Sequence, residues 1–420
     1  MKKIMQKFMD FVSDKVAPKL QKVAQNPYIS GMQAAILKCV PMVFVSSLVT
    51  IYNQVGKYVT LPSIAPISTY TFGLISLFYA FLVPFFILER KGNNKGKFVA
   101  GMTGLALYMM LVNPIINENG LYCYNVSNFG AGGLFVAIVA GIFTVLVFNL
   151  FAKINIVKED SVLPDFCKEW FDTMFPVALT IIVGFVLVHL LHFDLYTTIS
   201  NIFMPIVTIA NTYVGFILLY MVPTILYTMG ISGWVFQPIL TPVATAALAA
   251  NEAAVAAGTT LPYLYVGGVP TAYLSLGGRG VTFILCIYFM FSKAKGLKAL
   301  GNACFVPSVL NINEPIIFGA IAWNPILMIP TWLSSFAVCT ITYIVLKMGL
   351  VPIPYENFSL WYFLILLTGW LVSGNLSGVI LAAVNLAVSA VIFYPFFKVY
   401  EKQMLAEETE VEDLSETVTA

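Results

Sequence analysis

Runs of apolar residues long enough to cross a bilayer, about 17 to 25 residues, recur along the chain. They fall at residues 32–52, 70–88, 98–116, 131–152, 175–191 and 206–229. Others, some of them short or broken by glycine, lie at 281–292, 325–346, 361–372 and 379–397. In lipid a backbone must satisfy its own hydrogen bonds, so each run predicts a membrane helix. The first 28 residues follow another pattern. Lys2, Lys3, Lys7, Lys15, Lys19 and Lys22 alternate with Ile4, Phe8, Phe11 and Val12 at helical spacing. This predicts an amphipathic helix on the cytoplasmic face; no continuous apolar core follows the lysines, so the segment is not read as a secretion signal.

Charge in the connections orients the first half. The stretches 89–97 and 153–168 carry Lys and Arg and are expected inside, whereas 116–130 and 193–201 lack both and are expected outside. Between 230 and 320 the alternation fails. The Ala/Pro-rich stretch 237–257 reads neither as a convincing span nor as a soluble loop, and Lys293, Lys295 and Lys298 can be placed inside only if a segment is re-entrant. Short, interrupted hydrophobic segments of this kind mark the solute site in transporters. Residues 403–420, rich in Glu from Glu407 to Glu416, predict an acidic, disordered tail.

Composition agrees with that pattern. With 59% hydrophobic and 10% charged residues over 420 positions, and mean hydropathy +0.88, the polar surface is too small to wrap a soluble globule. The chain is expected to be an all-α, multi-pass protein of the lipid bilayer, with re-entrant hairpins and interfacial amphipathic helices beside its spans. A net charge of +2 supplies no basic field for nucleic acid.

One carboxylate stands out. Glu314, in the run Asn311-Ile-Asn-Glu-Pro315, lies within one of the most apolar regions, where a charge is expensive and is expected to face protein or a water-filled cavity. Pro315 behind it and Asn311 and Asn313 before it suggest broken backbone lining that cavity. The alternative is a solvated loop between helices. The six cysteines form no Cys-x-x-Cys pair and read as core packing. The two histidines, His189 and His192, beside Asp194, lack a nearby third ligand for a metal. Phosphate loops and nucleophile elbows are absent from the sequence, and no cofactor is expected.

The run 298–319, Lys-Ala-Leu-Gly-Asn-Ala-Cys-Phe-Val-Pro-Ser-Val-Leu-Asn-Ile-Asn-Glu-Pro-Ile-Ile-Phe-Gly, followed by Asn-Pro-Ile-Leu-Met-Ile-Pro at 324–330, resembles the hallmark region of the membrane-spanning enzyme IIC of the bacterial phosphoenolpyruvate-dependent sugar phosphotransferase system, lactose/cellobiose (chitobiose) type. Further matches are Gly-Leu-Phe-Val-Ala-Ile-Val-Ala-Gly at 133–141, Asp-Ser-Val-Leu-Pro at 160–164 and Phe-Tyr-Pro-Phe-Phe-Lys-Val-Tyr-Glu-Lys at 393–402. The similarity runs over nearly the whole chain in order. It implies a homodimer in the bacterial cytoplasmic membrane with about ten spans per subunit. It also implies a dimerising part over 29–200 and a sugar-enclosing part with re-entrant hairpins over 201–402. The sugar, expected to be a disaccharide, would be phosphorylated on delivery by a phosphocysteine on a separate enzyme IIB, itself served by an enzyme IIA. By position, Glu314 takes the role of the family glutamate that contacts sugar hydroxyls. A carboxylate accepts such bonds and can take a hydroxyl proton, so Glu314 is the candidate catalytic residue.

Departures from the family pattern bear on that chemistry. Where a Gly-x-His-Gly turn is usual, the chain reads Gly230-Ile-Ser-Gly233, with Ser232 in the histidine's place. Gln33 replaces an arginine typical of the first span. The usual Gly-Gly-Ser-Gly reads Gly277-Gly-Arg-Gly280, which introduces Arg279. Serine cannot change protonation near neutral pH as histidine does. The expected binding residues are therefore Glu314, Asn313, Asn311, Ser232, Gly233, Gln33 and Arg279, each with a plainer alternative. Arg279 can snorkel to an interface or pair with Glu314, Ser232 can bond back within its turn, and Gln33 can join two helices. Two function classes remain open: a phosphotransferase sugar permease, or a non-phosphorylating transporter, sensor or receptor on the same fold.

Overall fold

The computed structural model describes residues 17–56, 59–94, 96–152 and 164–419. The expected interfacial helix before residue 17 and most of the basic connection 153–168 lie outside them. In chain order the main helices are α1 (Ala17–Gln25), α2 (Pro27–Gly56), α3 (Ile75–Arg90), α4 (Lys97–Leu111), α5 (Leu134–Phe151), α6 (Asp165–Phe185) and α7 (Leu195–Ala210). They continue as α8 (Tyr213–Tyr227), α9 (Gln237–Ala256), α10 (Phe283–Met290), α11 (Lys295–Val309), α12 (Pro325–Lys347), α13 (Ile365–Ser373) and α14 (Leu376–Thr419). The only strands among the described residues, β1 (Ile115–Ile116) and β2 (Tyr122–Cys123), make a short antiparallel hairpin. The fold is all-α.

Among the described residues seven helices are long and apolar enough to cross a membrane: Pro27–Gly56, Ala65–Arg90, Ala131–Phe151, Cys167–Leu190, Gly233–Ala256, Pro325–Lys347 and Leu376–Glu410. An eighth crossing results if α7 and α8, bent by 86° at their junction, count as one. Three expected spans come out short. The run 98–116 yields the 15-residue α4, about 22 Å long at 1.5 Å per residue; the runs 281–292 and 361–372 yield the 8-residue α10 and the 9-residue α13. Conversely, 237–257 forms a span-length helix, because its many alanines carry little hydropathy but the highest helix propensity. The expected single span 206–229 is broken at Asn211, whose side-chain oxygen leaves the helix to accept the N–H groups of Leu264 (2.7 Å) and Tyr265 (2.6 Å).

The chain packs as two compact units, one of residues 20–209 with 234–258, the other chiefly of 210–233 with 259–420. In the first unit helices meet through small residues. A Cβ on Gly104 of α4 would lie 2.6 Å from the Ala80 carbonyl and 2.8 Å from Pro84, and one on Gly141 of α5 would lie 2.8 Å from Val83. With no hydrophobic drive between helices in lipid, such backbone approach supplies the packing energy. Outside the spans, Asp194 caps α7 by accepting the Thr197 N–H at 2.9 Å and the Asn113 amide at 2.6 Å. Burial pushes its carboxyl up, but these hydrogen bonds outweigh it and hold the group below the usual carboxylate range. The region α9, assigned by sequence to the carboxy-terminal part, packs here against α2 and α5.

In the second unit, polar side chains tie helix to irregular backbone. Buried Asn385 of α14 donates to the Tyr273 carbonyl and the Thr342 hydroxyl, both at 3.0 Å, and Ser389 donates to the Val281 carbonyl at 2.9 Å. The expected disordered tail instead continues α14. Glu401 accepts the Ser292 hydroxyl and the Lys293 N–H, each at 2.8 Å. Glu408 accepts the N–H groups of Lys295 (2.9 Å) and Gly296 (2.7 Å) at the start of α11, where a carboxylate complements the helix dipole.

Candidate functional site

The turn at 275–282 carries the strangest backbone of the described chain. Gly277, Gly278 and Gly280 have φ of 77, 95 and 98°, and β-branched Val281 follows at 57°, a region that L residues occupy only under constraint. Space is as tight as the dihedrals, since a Cβ at Gly278 would lie 2.2 Å from Asn313 Cγ.

Two asparagines hold that turn. Asn311, itself at φ 61°, accepts the Gly277 N–H on its side-chain oxygen at 2.8 Å. Asn313 donates from Nδ2 to the Arg279 carbonyl (2.8 Å) and the Thr282 hydroxyl (2.9 Å), and the Thr282 hydroxyl donates to the Gly277 carbonyl (2.8 Å). At 8% and 3% exposure, both asparagines spend their side chains on building the site. One atom is left over: Asn311 Nδ2 is buried without a partner.

Glu314 follows immediately. It opens the short helix Glu314–Ile316, where Pro315 is tolerated because a first-turn N–H has no helical partner. Its carboxylate is exposed and enters no hydrogen bond or ion pair among the described residues. Tyr227 and Tyr362 lie close enough to feel its charge. A free carboxylate flanked by phenols is equipped to accept hydroxyl groups.

The end of α8 closes the cluster. Gly230, at φ 80°, ends the helix, and the Thr228 carbonyl accepts the Trp323 N–H at 3.1 Å while the Thr228 hydroxyl accepts the Trp332 indole N–H at 3.0 Å. Ser232 is exposed between Gly230, which faces the Trp323 indole, and Gly233, which faces Arg279 Nε. The Arg279 guanidinium lies over the Tyr220 ring, 5.1 Å from its centroid, and makes no ion pair with Glu314.

Of the expected residues, then, Asn313 bonds the Arg279 carbonyl, Asn311 bonds Gly277 of the same turn and Gly233 faces Arg279 Nε, with Glu314 and Ser232 on the adjoining turns. Gln33 is half-buried on α2 in the other compact unit. Two contributors escaped the sequence reading. Tyr220 accepts the Gly280 N–H at 3.1 Å and donates to the Leu274 carbonyl; in sequence it is one more aromatic residue in an apolar span. Tyr362 lies in a run that reads simply as a span. No group of three metal-ligating side chains occurs among the described residues, the His189–His192 pair included.

Residues 33–335 match the family model described as Phosphotransferase system, EIIC. Among curated proteins the chain is 26% identical to the lichenan permease IIC component of Bacillus subtilis (strain 168), covering 97% of both chains. It is 28% identical to the PTS system lactose-specific EIICB component of Staphylococcus haemolyticus (strain JCSC1435), over 94% of this chain and 71% of that one. The PTS system cellobiose-specific EIIC component of Geobacillus stearothermophilus is 26% identical, with 96% of each chain covered. Among solved structures, the transporter ChbC, the IIC component of the N,N'-diacetylchitobiose-specific phosphotransferase system, superposes with a TM-score of 0.84 at 24% identity, covering 95% of this chain and 99% of that one; this likeness speaks to the fold.

Proposed function

The chain belongs to the phosphotransferase system EIIC family and is a multi-pass sugar-permease component of the bacterial plasma membrane, and from that premise we propose that it binds a di- or oligosaccharide at the Glu314 cluster. The disaccharides for which two relatives are named, lactose and cellobiose, support that size of solute. The observation that carries the reading is the unpaired, exposed carboxylate of Glu314, set beside Tyr227 and Tyr362 by a turn whose dihedrals are fixed by Asn311 and Asn313.

Glu314 accepts a hydrogen bond from the reacting sugar hydroxyl. As that oxygen attacks the phosphorus of a phosphocysteine on a separate IIB protein, the new O–P bond forms, the P–S bond breaks, the thiolate stays on IIB and the hydroxyl proton passes to Glu314. IIA recharges IIB. The seven or eight helices of membrane length, with shorter apolar helices such as α4 beside them, make up about ten crossings, the region between 259 and 324 forms re-entrant hairpins, and residues 29–200 dimerise. The test is phosphoryl transfer from phospho-IIB to a labelled disaccharide in membrane vesicles. Product should form with wild type and fall at least about a hundredfold in Glu314→Gln. Undiminished product in the variant would remove Glu314 from the chemistry.

A second reading is favoured by Ser232, exposed at the turn where the family resemblance expects histidine. If the site binds sugar but yields no phosphate ester with any active IIB, the protein is a non-phosphorylating transporter or sensor.

A further inference from the structure

Arg279 is held more firmly than a snorkelling side chain needs to be. Its carbonyl accepts the Asn313 amide at 2.8 Å, and the glycines on both sides of it adopt positive φ in places where a Cβ would collide. The guanidinium rests on the Tyr220 ring, and the Tyr220 hydroxyl in turn accepts the Gly280 N–H at 3.1 Å. On its other side lies Gly233, where a Cβ would sit 3.4 Å from Nε, at van der Waals contact with the guanidinium.

Despite this support the charge is unanswered. Nη1 is buried with no hydrogen-bond partner, and no carboxylate pairs with Arg279 among the described residues. Arg279 is half-buried as a residue, but a charged N–H buried without an acceptor, as at Nη1, is costly, and a ring face offsets only part of that cost. Glu314 does not fill the gap, although Tyr227 stands within electrostatic reach of both charges. The cluster thus offers an acceptor at Glu314 and, separately, an unfilled charged donor at Arg279 Nη1.

We propose that Arg279 is the anion anchor of this site, so that the ligand it retains is a sugar carrying an oxyanion, either a carboxylate or a phosphoryl group. This rests on the reading of the Glu314 cluster as a sugar site. A guanidinium presents parallel N–H donors to the two oxygens of a carboxylate or phosphoryl group, and such charge-assisted bonds are about twice as strong as those to a neutral hydroxyl. A hydroxyl end of the ligand faces Glu314, and the anionic end faces Arg279. The oxyanion has two sources: a uronic acid unit in the substrate, or the phosphoryl group on a sugar ester.

The experiment is calorimetric titration of the purified full chain with three probes: cellobiose, cellobiose 6-phosphate and cellobiouronic acid. Wild type is compared with Arg279→Gln and Arg279→Lys at two ionic strengths, with the thermal transition of each protein recorded. At least one anionic probe should bind wild type roughly tenfold or more tighter than cellobiose. That advantage should disappear in Arg279→Gln, survive in part in Arg279→Lys and shrink with salt. Preference for the uronate assigns the oxyanion to the substrate, and preference for the ester assigns it to the phosphoryl group. If cellobiose binds wild type as tightly as both anionic probes, or if the advantage persists in Arg279→Gln, the anchor is overturned and the sugar site stands. If none of the three binds, both are overturned. The wild-type ranking decides the matter even where a variant fails to fold.

Discussion

The two compact units solve the problem of packing in lipid differently. In the unit of residues 20–209 with 234–258, helices approach through glycines such as Gly104 and Gly141, whose missing side chains let the backbone of one helix touch the next. In the other, two long helices, α12 and α14, stand among several short ones, and buried polar groups do the joining: Asn385 to Tyr273 and Thr342, Ser389 to Val281, Asn313 to Arg279 and Thr282. Of the five non-glycine residues with positive φ among those described, three, Val281, Asn311 and Trp323, also lie there. The first relies mainly on close approach of small residues. The second places the exposed Glu314 beside a turn of positive-φ residues and holds that turn with side-chain hydrogen bonds.

If that division is right, substitutions in the two units should separate binding from stability. The largest effect is expected from Glu314→Gln, with phosphoryl transfer reduced about a hundredfold or more and the thermal transition unchanged, because the carboxylate supports nothing structural. Next comes Gly278→Ala, which forces a Cβ into Asn313. Sugar affinity should fall by about tenfold or more, the scale set by a disturbance of roughly 1–3 kcal/mol. Gly104→Ala, with its Cβ 2.6 Å from the Ala80 carbonyl, should cost stability on the same order while the folded fraction keeps wild-type affinity. A change of affinity in Gly104→Ala equal to that in Gly278→Ala would erase the contrast.

Smaller effects sharpen it. Asn385→Ala should lower the unfolding free energy by about 0.6–2 kcal/mol, as interhelical hydrogen bonds in membranes do, measured by denaturation in mild detergent. Asp194→Asn should have the least effect, and one that depends on pH. The Asp194 carboxyl is depressed in the folded state, so its contribution is present above the ordinary carboxylate pKa of about 4 and is lost as pH falls through the lowered value. The stability gap between wild type and Asp194→Asn should therefore be seen at neutral pH and close in acid.

Hydropathy made the first unit largely readable, because its spans are continuous apolar runs; 32–52, 70–88 and 131–152 each return as membrane-length helices. It left α9 undecided, where alanine favours helix while adding less hydropathy than larger apolar residues, and it could not see the break at Asn211, which depends on the distant backbone of Leu264 and Tyr265. At the site, Glu314 was legible as a charge in the wrong solvent. The asparagines were legible as polar residues but not as struts, since their partners at Gly277, Arg279 and Thr282 are about 30 residues away. Tyr220 carries no local mark at all. The acidic tail was read from composition alone, which does not reveal that Glu408 can cap α11.

The most direct test of the central claim, that the Glu314 cluster is where sugar is held, is equilibrium binding of labelled cellobiose and lichenan-derived oligosaccharides to purified wild type and Glu314→Gln, with a thermal transition recorded for each. The account predicts saturable binding in wild type that is abolished in the variant at an unchanged transition temperature. Equal binding by both proteins would place the sugar elsewhere and contradict it.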